Sequence, residues 1–288
     1  MMKRFIVPEW VLEHNFFYDP SNLSKERIEI IRKGLEKFGT ETPNVSIVIP
    51  AYNEEASLLR ALSSFSRMAT KHKAELIVVN NNSNDRTQEI LEVCAVKTVF
   101  AQRQGISYAR QAGLEAAKGK YILSADADSI YPVYWIDTLV EPLMNKDEVS
   151  CPYGTYSFIP SSGNSRVSLG FYEMMAEAFF KIKRKQRECV NVMGFNFAFR
   201  KEDAFKVGGY SHNLQRNRTG RSEDGWMAYQ LMKVGKLCRV DDLKGRAWTS
   251  DRRLMADGSL AKAFQNRAKK ELKRLSLYFN SRYAVHSE

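Results

Sequence analysis

Val45-Ser46-Ile47-Val48-Ile49-Pro50-Ala51-Tyr52-Asn53-Glu54-Glu55 is the stretch that decides the fold. Val45 to Ile49 is a short apolar run, as expected of a buried strand, and Pro50 stops it. Leu58, Leu59, Leu62, Phe65 and Ala69 then recur at helical spacing. A strand, a polar turn and an amphipathic helix in this order open a βα unit. The turn, Tyr52 to Glu55, leaves the carboxyl end of the strand, where open α/β sheets bind their ligands.

The same alternation continues outward. Leu76–Val79 forms a second apolar strand, followed by an Asn/Ser/Asp loop and a helix near Thr87–Cys94. Thr98–Ala101 is a third strand, Ser107–Ala117 a helix of small residues, and Tyr121–Ser124 a fourth strand. Strands and helices at this pitch predict an α/β fold: a Rossmann-like, mainly parallel sheet with helices on both faces. Past residue 150 the pattern changes. A helix is expected from about Val167 to Arg187, a strand-like run at Val192–Arg200, a helix near Trp226–Val234 and a basic helix from Ser259 to Tyr278. Leu23–Phe38 is helical and Pro43 ends it. The expected organisation is a single domain at 44–245, with a Rossmann-like first half (44–130) and a second half (131–245). A helical N-terminal extension (1–43) and a basic C-terminal one (246–288) flank it.

The chain has 288 residues, 44% hydrophobic, enough for one large core. Cys94, Cys151, Cys189 and Cys238 are scattered without a CxxC, so reduced thiols are expected rather than disulfides or zinc. No apolar run approaches the roughly 18 residues of a membrane span, and the charged first twenty residues do not read as a signal peptide. The expected location is cytoplasmic, or peripheral at the inner face of a membrane. The net charge of +11 favours anionic partners of some kind.

Three polar loops leave strand ends: Tyr52–Glu55, Asn80–Asp85 and Asp126-Ala127-Asp128-Ser129. They should converge on one cleft. Alternate residues of an extended segment point the same way, which aims Asp126 and Asp128 at one cation. Mg²⁺ or Mn²⁺ takes oxygen ligands of this kind together with substrate phosphates. A solvated acidic loop is the competing reading of the pair alone. Asn80 and Asn81 suit either turn chemistry or a nucleobase edge, and Asp85 suits a helix cap. Ser222-Glu223-Asp224-Gly225 precedes a helix and follows Arg216, Arg218 and Arg221. It fits either helix-start acids facing the dipole or a general base beside phosphate-holding cations. The four histidines share no metal-ligand spacing, and no GxxxxGK[ST] loop is present.

Taken together, these segments resemble the family 2 glycosyltransferases of GT-A fold, over about Val45–Val240. Val45–Glu55 is similar to that family's opening strand and loop. Gln104–Gly113 is similar to its small-residue helix, and Tyr121–Asp128 to its strand into the DxD. Phe199-Arg200, Val207–Tyr210 and Glu223-Asp224 are similar to its acceptor-side half. The resemblance implies an inverting transferase with a nucleotide-diphosphate sugar as donor. It implies that Pro50, Ala51, Tyr52, Glu54, Asn81, Arg110 and Asp126 surround the nucleotide. Asp128, with Asp126, would hold Mg²⁺ or Mn²⁺. Asp224 would be the general base and Glu223 would support the acceptor.

Asn80-Asn81-Asn82-Ser83 departs from the family's commoner Asp-Asp-Gly-Ser and leaves the base open among uracil, guanine and thymine. The processive synthases' Gln-x-x-Arg-Trp segment is missing, which implies a single-transfer enzyme acting on a glycan or lipid-linked acceptor. Arg246–Arg253 offers diphosphate-binding cations. The basic segments 181–187 and 262–274 fit solvated packing helices or a peripheral membrane contact. The rivals are a nucleotidyltransferase making a nucleotide sugar and a basic nucleic-acid-binding protein; nucleic acid is not the expected partner.

Overall fold

The computed structural model describes residues 4–161, 163–211, 222–256 and 258–273. Its first strand, β1 (Val45–Ala51), is fully buried. β2 (Ala74–Asn80) and β4 (Tyr121–Ser124) pair with it in parallel on either side, and β3 (Lys97–Phe100) pairs in parallel with β2. The complete seven-stranded sheet runs β3-β2-β1-β4-β8-β6-β9, with β6 (Val149–Tyr153), β8 (Phe197–Arg200) and β9 (Lys236–Arg239). Only β8 opposes the others, being antiparallel to both β4 and β6. A three-stranded sheet, β5-β10-β7, stands beside it, made from Ser129–Ile130 (β5), Tyr156–Ile159 (β7) and Ala247–Ser250 (β10).

The side chains of β1 and β2 divide between the two faces with period two, as strand geometry requires. Val45, Ile47, Ile49, Leu76 and Val78 join one core; Val48, Ile77 and Val79 join the other. The first core is closed by α2 (Lys25–Leu35), α3 (Leu58–Ser66), α4 (Thr87–Val93) and α6 (Trp135–Asn145). The second is closed by α5 (Ile106–Ala116), α8 (Lys201–Lys206) and α9 (Glu223–Leu231). Helices therefore cover both faces, as expected of a mainly parallel sheet.

α5 lies unusually close to its strands. A Cβ on Gly113 would be 2.2 Å from Val48 Cγ1 and 3.0 Å from Val79 Cγ2. That approach explains the small residues of this helix.

The N-terminal segment is built into the domain. Ile31, Leu35 and Phe38 join the first core, and Val11 of α1 (Glu9–His14) packs with Ile130, Ile159 and Trp248. At the other end, α11 (Leu260–Lys273) lies on α7 (Arg166–Arg187). Lys183 meets Glu271 at 2.6 Å, both buried, and Arg267 lies over the rings of Tyr172 and Phe180. Part of the basic pattern thus faces inward, whereas Lys181, Lys262, Lys269, Lys270 and Lys273 are exposed. The last helix was expected to reach Tyr278; residues 274–278, and Arg274 with them, lie outside the described residues. The four cysteines are free, Cys94 and Cys151 buried.

Candidate active site

The strand order turns back at β1 and β4: the chain moves outward through β2 and β3, then returns to β4 on the other side of β1. Ligands bind beyond the carboxyl ends of strands at such a switch point. A cavity of about 490 Å³ opens there, bordered by Tyr52, Glu54, Asn81, Asp126, Asp128 and Arg253. Pro50 and Ala51 border it too. Seven of the residues singled out in the sequence therefore meet around one space; Arg110, Glu223 and Asp224 do not border it.

Backbone and side-chain bonds between loops fix this arrangement. The Asn53, Glu54 and Glu55 N–H groups donate to Ser83 Oγ, Thr87 Oγ1 and Asp85 Oδ2 at 3.1, 2.9 and 3.0 Å. Asn53 adopts φ 53°, a left-handed turn that asparagine tolerates. Asp85 Oδ1 also accepts from Thr87 N–H at 2.9 Å, an Asx turn just ahead of α4; the cap position itself falls on Arg86, without a side-chain cap, and not on Asp85 as the sequence suggested.

Asn81 is committed to its own fold. Its amide donates to the carbonyls of Ala101 and Arg103 at 3.1 and 2.6 Å, and its oxygen accepts Gly105 N–H at 2.7 Å. Both donors are taken, so toward a ligand Asn81 offers only the remaining acceptor capacity of its oxygen. Gly105, at φ 140°, provides a backbone conformation that other residues rarely adopt.

The Asp126 N–H donates to the Tyr131 hydroxyl at 2.8 Å, and that hydroxyl donates to the Phe195 carbonyl at 3.1 Å. One buried phenol thereby ties the acidic turn to the segment before β8. Behind Asp126 lies Arg110, buried, with Nη2 donating to Asp126 Oδ1 at 2.8 Å. Its Nη1 donates to Ser124 Oγ, and its Nε lies 3.8 Å from Glu223 Oε1. Burial disfavours this guanidinium's charge. Asp126, Tyr210, Glu223 and Asp224 more than offset that and hold its pKa above the ordinary value. Arg110 is thus an internal counter-ion joining the DxD to α9, and not a wall of the cavity.

Asp224 stands at the start of α9, with Oδ2 accepting Gly194 N–H and Oδ1 accepting Gly225 N–H, both at 2.7 Å. Ser222 caps the helix through Gly225 N–H. Arg216, Arg218 and Arg221 lie outside the described residues.

Asp128, at the edge of the cavity, is also shifted. Burial, then the Asp126 and Glu54 carboxylates, push its carboxyl up to about 6, against the pull of Arg253 and Arg252. Arg252, on α10 (Arg252–Met255), reaches Glu54 Oε1 at 2.6 Å and Asp128 Oδ2 at 3.5 Å. Two of the arginines expected from the 246–253 segment therefore arrive at the site. Arg246 does not: it is turned to Thr155 Oγ1 at 3.1 Å.

Tyr131, Ser124 and Gly194 were not foreseen. Tyr131 is hidden between apolar neighbours, and only the polar end of an apolar strand marks Ser124.

A switch-point cleft with two carboxylates on one turn and an acidic helix start behind it defines the GT-A class of α/β transferase. A model of the family described as glycosyl transferase family 2 matches residues 46–208, more than half of the chain. The chain belongs to glycosyl transferase family 2. It is 29% identical over 189 residues to the probable glycosyltransferase YdaM of Bacillus subtilis, covering 59% of this chain and 43% of that one. It is 34% identical over 119 residues to the undecaprenyl-phosphate 4-deoxy-4-formamido-L-arabinose transferase of Aeromonas hydrophila, covering 38% and 36%. These matches span less than half the length of either relative. Among solved structures, mannosyltransferase PcManGT from Pyrobaculum calidifontis, in complex with GDP-Man and Mn²⁺, shares the fold. Its TM-score is 0.54 and its identity 17%, over 85% of this chain and 72% of that one. Among the described residues no helix is long and apolar enough to cross a membrane. The family match sets aside the nucleotidyltransferase and nucleic-acid-binding readings.

Proposed function

We propose that the chain moves a sugar from a nucleotide-diphosphate donor to a hydroxyl of a glycan or lipid-linked acceptor, in one inverting, non-processive transfer. The observation that carries this is the 490 Å³ switch-point cavity in which Tyr52, Asn81, Asp126 and Asp128 meet. The PcManGT complex motivates the choice of donor class, and the Aeromonas relative's undecaprenyl-phosphate name motivates the lipid-linked acceptor.

Asp126 and Asp128 fit a hard divalent cation, Mg²⁺ or Mn²⁺. They border one cavity, and the raised pKa of Asp128 reflects first its burial and then crowded negative charge, which a cation relieves. Among the described residues no group of three His, Cys, Asp or Glu side chains forms a ready-made cage. Mg²⁺ is commonly held by one or two carboxylates plus substrate phosphates. When bound, the cation supplies charge neutralisation for the leaving diphosphate.

The protein's own groups do the rest. Pro50, Ala51, Tyr52, Glu54 and Asn81 border the nucleotide, and Arg252 and Arg253 offer guanidinium forks to its phosphates. Arg110 holds Asp126 in place through its 2.8 Å bond to Oδ1. Asp224 takes the acceptor's proton, with Glu223 beside it; each carboxylate oxygen keeps acceptor capacity beyond its backbone bond. We take 44–245 as the transferase domain, with 1–43 and 246–288 as its flanking extensions. The reaction is placed in the cytoplasm, with exposed lysines of α7 and α11 toward an anionic membrane when the acceptor is a lipid.

Thermal-shift titration with UDP, GDP and dTDP, with and without Mn²⁺, tests this reading. One nucleotide should raise the Tm only with metal present, because a ligand of the folded state stabilises it. No shift with any of them under either condition would overturn the reading.

A further inference from the structure

Arg252 bridges two of the three carboxylates that border the main cavity, Glu54 after β1 and Asp128 after β4. Its Nη2 lies 2.6 Å from Glu54 Oε1 and 3.5 Å from Asp128 Oδ2. The third carboxylate, Asp126, is bonded to Arg110 behind it. The two acids are shielded, with side chains 12% and 7% exposed, whereas that of Arg252 is 52% exposed. Glu54 is fixed in turn, its other oxygen accepting the Ser57 hydroxyl. A solvent-facing cation therefore reaches in to acids that the fold holds still.

The element that carries Arg252 is lightly anchored. α10 is one turn of helix with no buried residue. Arg252 N–H donates to Ser250 Oγ at 3.1 Å and Met255 N–H to the Asp251 carbonyl at 2.9 Å, and Met255 Sδ accepts the Asn164 amide at 2.9 Å. Segments with few buried contacts open at low free energy. A half-exposed ion pair contributes up to about 1 kcal/mol, small enough for a divalent cation to displace. That cation, bound by Asp128 at about 2.1 Å, would face the guanidinium with like charge across the same carboxylate. A diphosphate relieves the conflict, because its oxygens suit a guanidinium fork.

We propose that Arg252 competes with the divalent cation for Glu54 and Asp128 and passes to the diphosphate when the nucleotide arrives, so that cation and nucleotide bind cooperatively. This rests on the proposed transferase function and adds how the two ligands of its main cavity are coupled. Either ligand alone must break the Arg252 contacts, whereas the two together break them once. The coupling is reciprocal: the cation tightens the nucleotide by the same factor by which the nucleotide tightens the cation.

Two binding measurements test it without turnover. An EPR titration follows Mn²⁺ alone, and calorimetry follows UDP, GDP and dTDP with and without Mn²⁺. Arg252→Gln keeps a polar side chain and removes the charge. Lys262→Gln makes the same change in net charge on α11, at an exposed residue that borders neither the main cavity nor the smaller one beside Asp128. Arg252→Gln should bind Mn²⁺ alone about two- to fivefold more tightly than wild type. The factor by which Mn²⁺ tightens the nucleotide should fall by a similar amount, and Lys262→Gln should match wild type in both. Unchanged or weaker Mn²⁺ binding by Arg252→Gln overturns the proposal, as does an equal gain in Lys262→Gln or an unchanged coupling factor. Absence of Mn²⁺ binding in both wild type and Arg252→Gln overturns it too. Failure of every nucleotide to bind overturns the reading of the main cavity, whereas the Mn²⁺ titration still decides whether Arg252 competes for the acidic turn.

Discussion

Replacing Asp128 with asparagine removes one negative charge and keeps the side chain's shape. In the wild type, burial and the neighbouring Asp126 and Glu54 carboxylates raise this carboxyl from 3.8 to about 6. The folded value lies above the unfolded one, so ionisation of Asp128 works against folding. Its contribution to stability is fully present below about pH 4 and is lost as pH rises through about 6. At about 1.36 kcal/mol per pH unit, the gap amounts to about 3 kcal/mol at pH 7.5. The amide strands no cation, because Arg252 keeps Glu54 at 2.6 Å.

Without metal, Asp128→Asn should therefore be more stable than wild type at pH 7.5 by as much as about 3 kcal/mol. That corresponds to a Tm increase of about 6 °C for a chain of this size. The difference should close as the buffer approaches pH 4. Urea and thermal unfolding in EDTA from pH 4 to 8 measure it, and comparing the two proteins at each pH cancels the other titrating groups. With Mn²⁺ and the nucleotide identified by thermal shift, the order should narrow or reverse, since only the wild type gains stability from the metal. A variant less stable than wild type at pH 7.5 in EDTA would refute the electrostatic account of the site. A variant with the full Mn²⁺ response would refute the assignment of the metal.

Asp224→Asn should lower transfer by about 10²–10⁴-fold. It should also cost about 1–3 kcal/mol in urea unfolding, because an amide NH₂ must face Gly194 or Gly225 N–H; wild-type turnover would remove Asp224 from the chemistry. Arg110→Met should destabilise the protein by about 3–5 kcal/mol, since Asp126 and Glu223 would lose a buried counter-ion, and a loss below about 1 kcal/mol would contradict its role. Gly113→Ala should destabilise by about 1–3 kcal/mol even though alanine favours helices, because the added Cβ meets Val48 at 2.2 Å. A more stable Gly113→Ala would mean that α5 does not pack so closely on β1.

The first half of the chain was legible because its strands are contiguous apolar runs and its helices are periodic. β1, β2 and β4 fall within two residues of the runs that announce them. α6 was missed because Pro142 interrupts its helical pattern, although the proline lies within the helix. The small sheet was missed because its strands are two to four residues long and exist only through pairing between distant segments, as between Trp248 and Ile130. No local pattern encodes such pairs.

The site shows the same division between local and distant information. Asp126 and Asp128 could be read from two letters and the strand before them, since adjacent residues set their direction. Arg110 could not be placed in this way. Its neighbours in sequence give it a small-residue helix, and its resemblance to the family suggests the nucleotide. Its position is instead set by how closely Gly113 lets α5 approach β1 and by three acidic residues far away in the chain. Asn81 differs again: a polar residue at a strand tip looks available, yet the loop at 101–105 uses both its donors. Availability depends on hydrogen bonds already made, and those come from other segments. Asp128 borders both the main cavity and a smaller one of about 140 Å³ beside it, so a ligand in either acts on a carboxylate whose ionisation the fold resists.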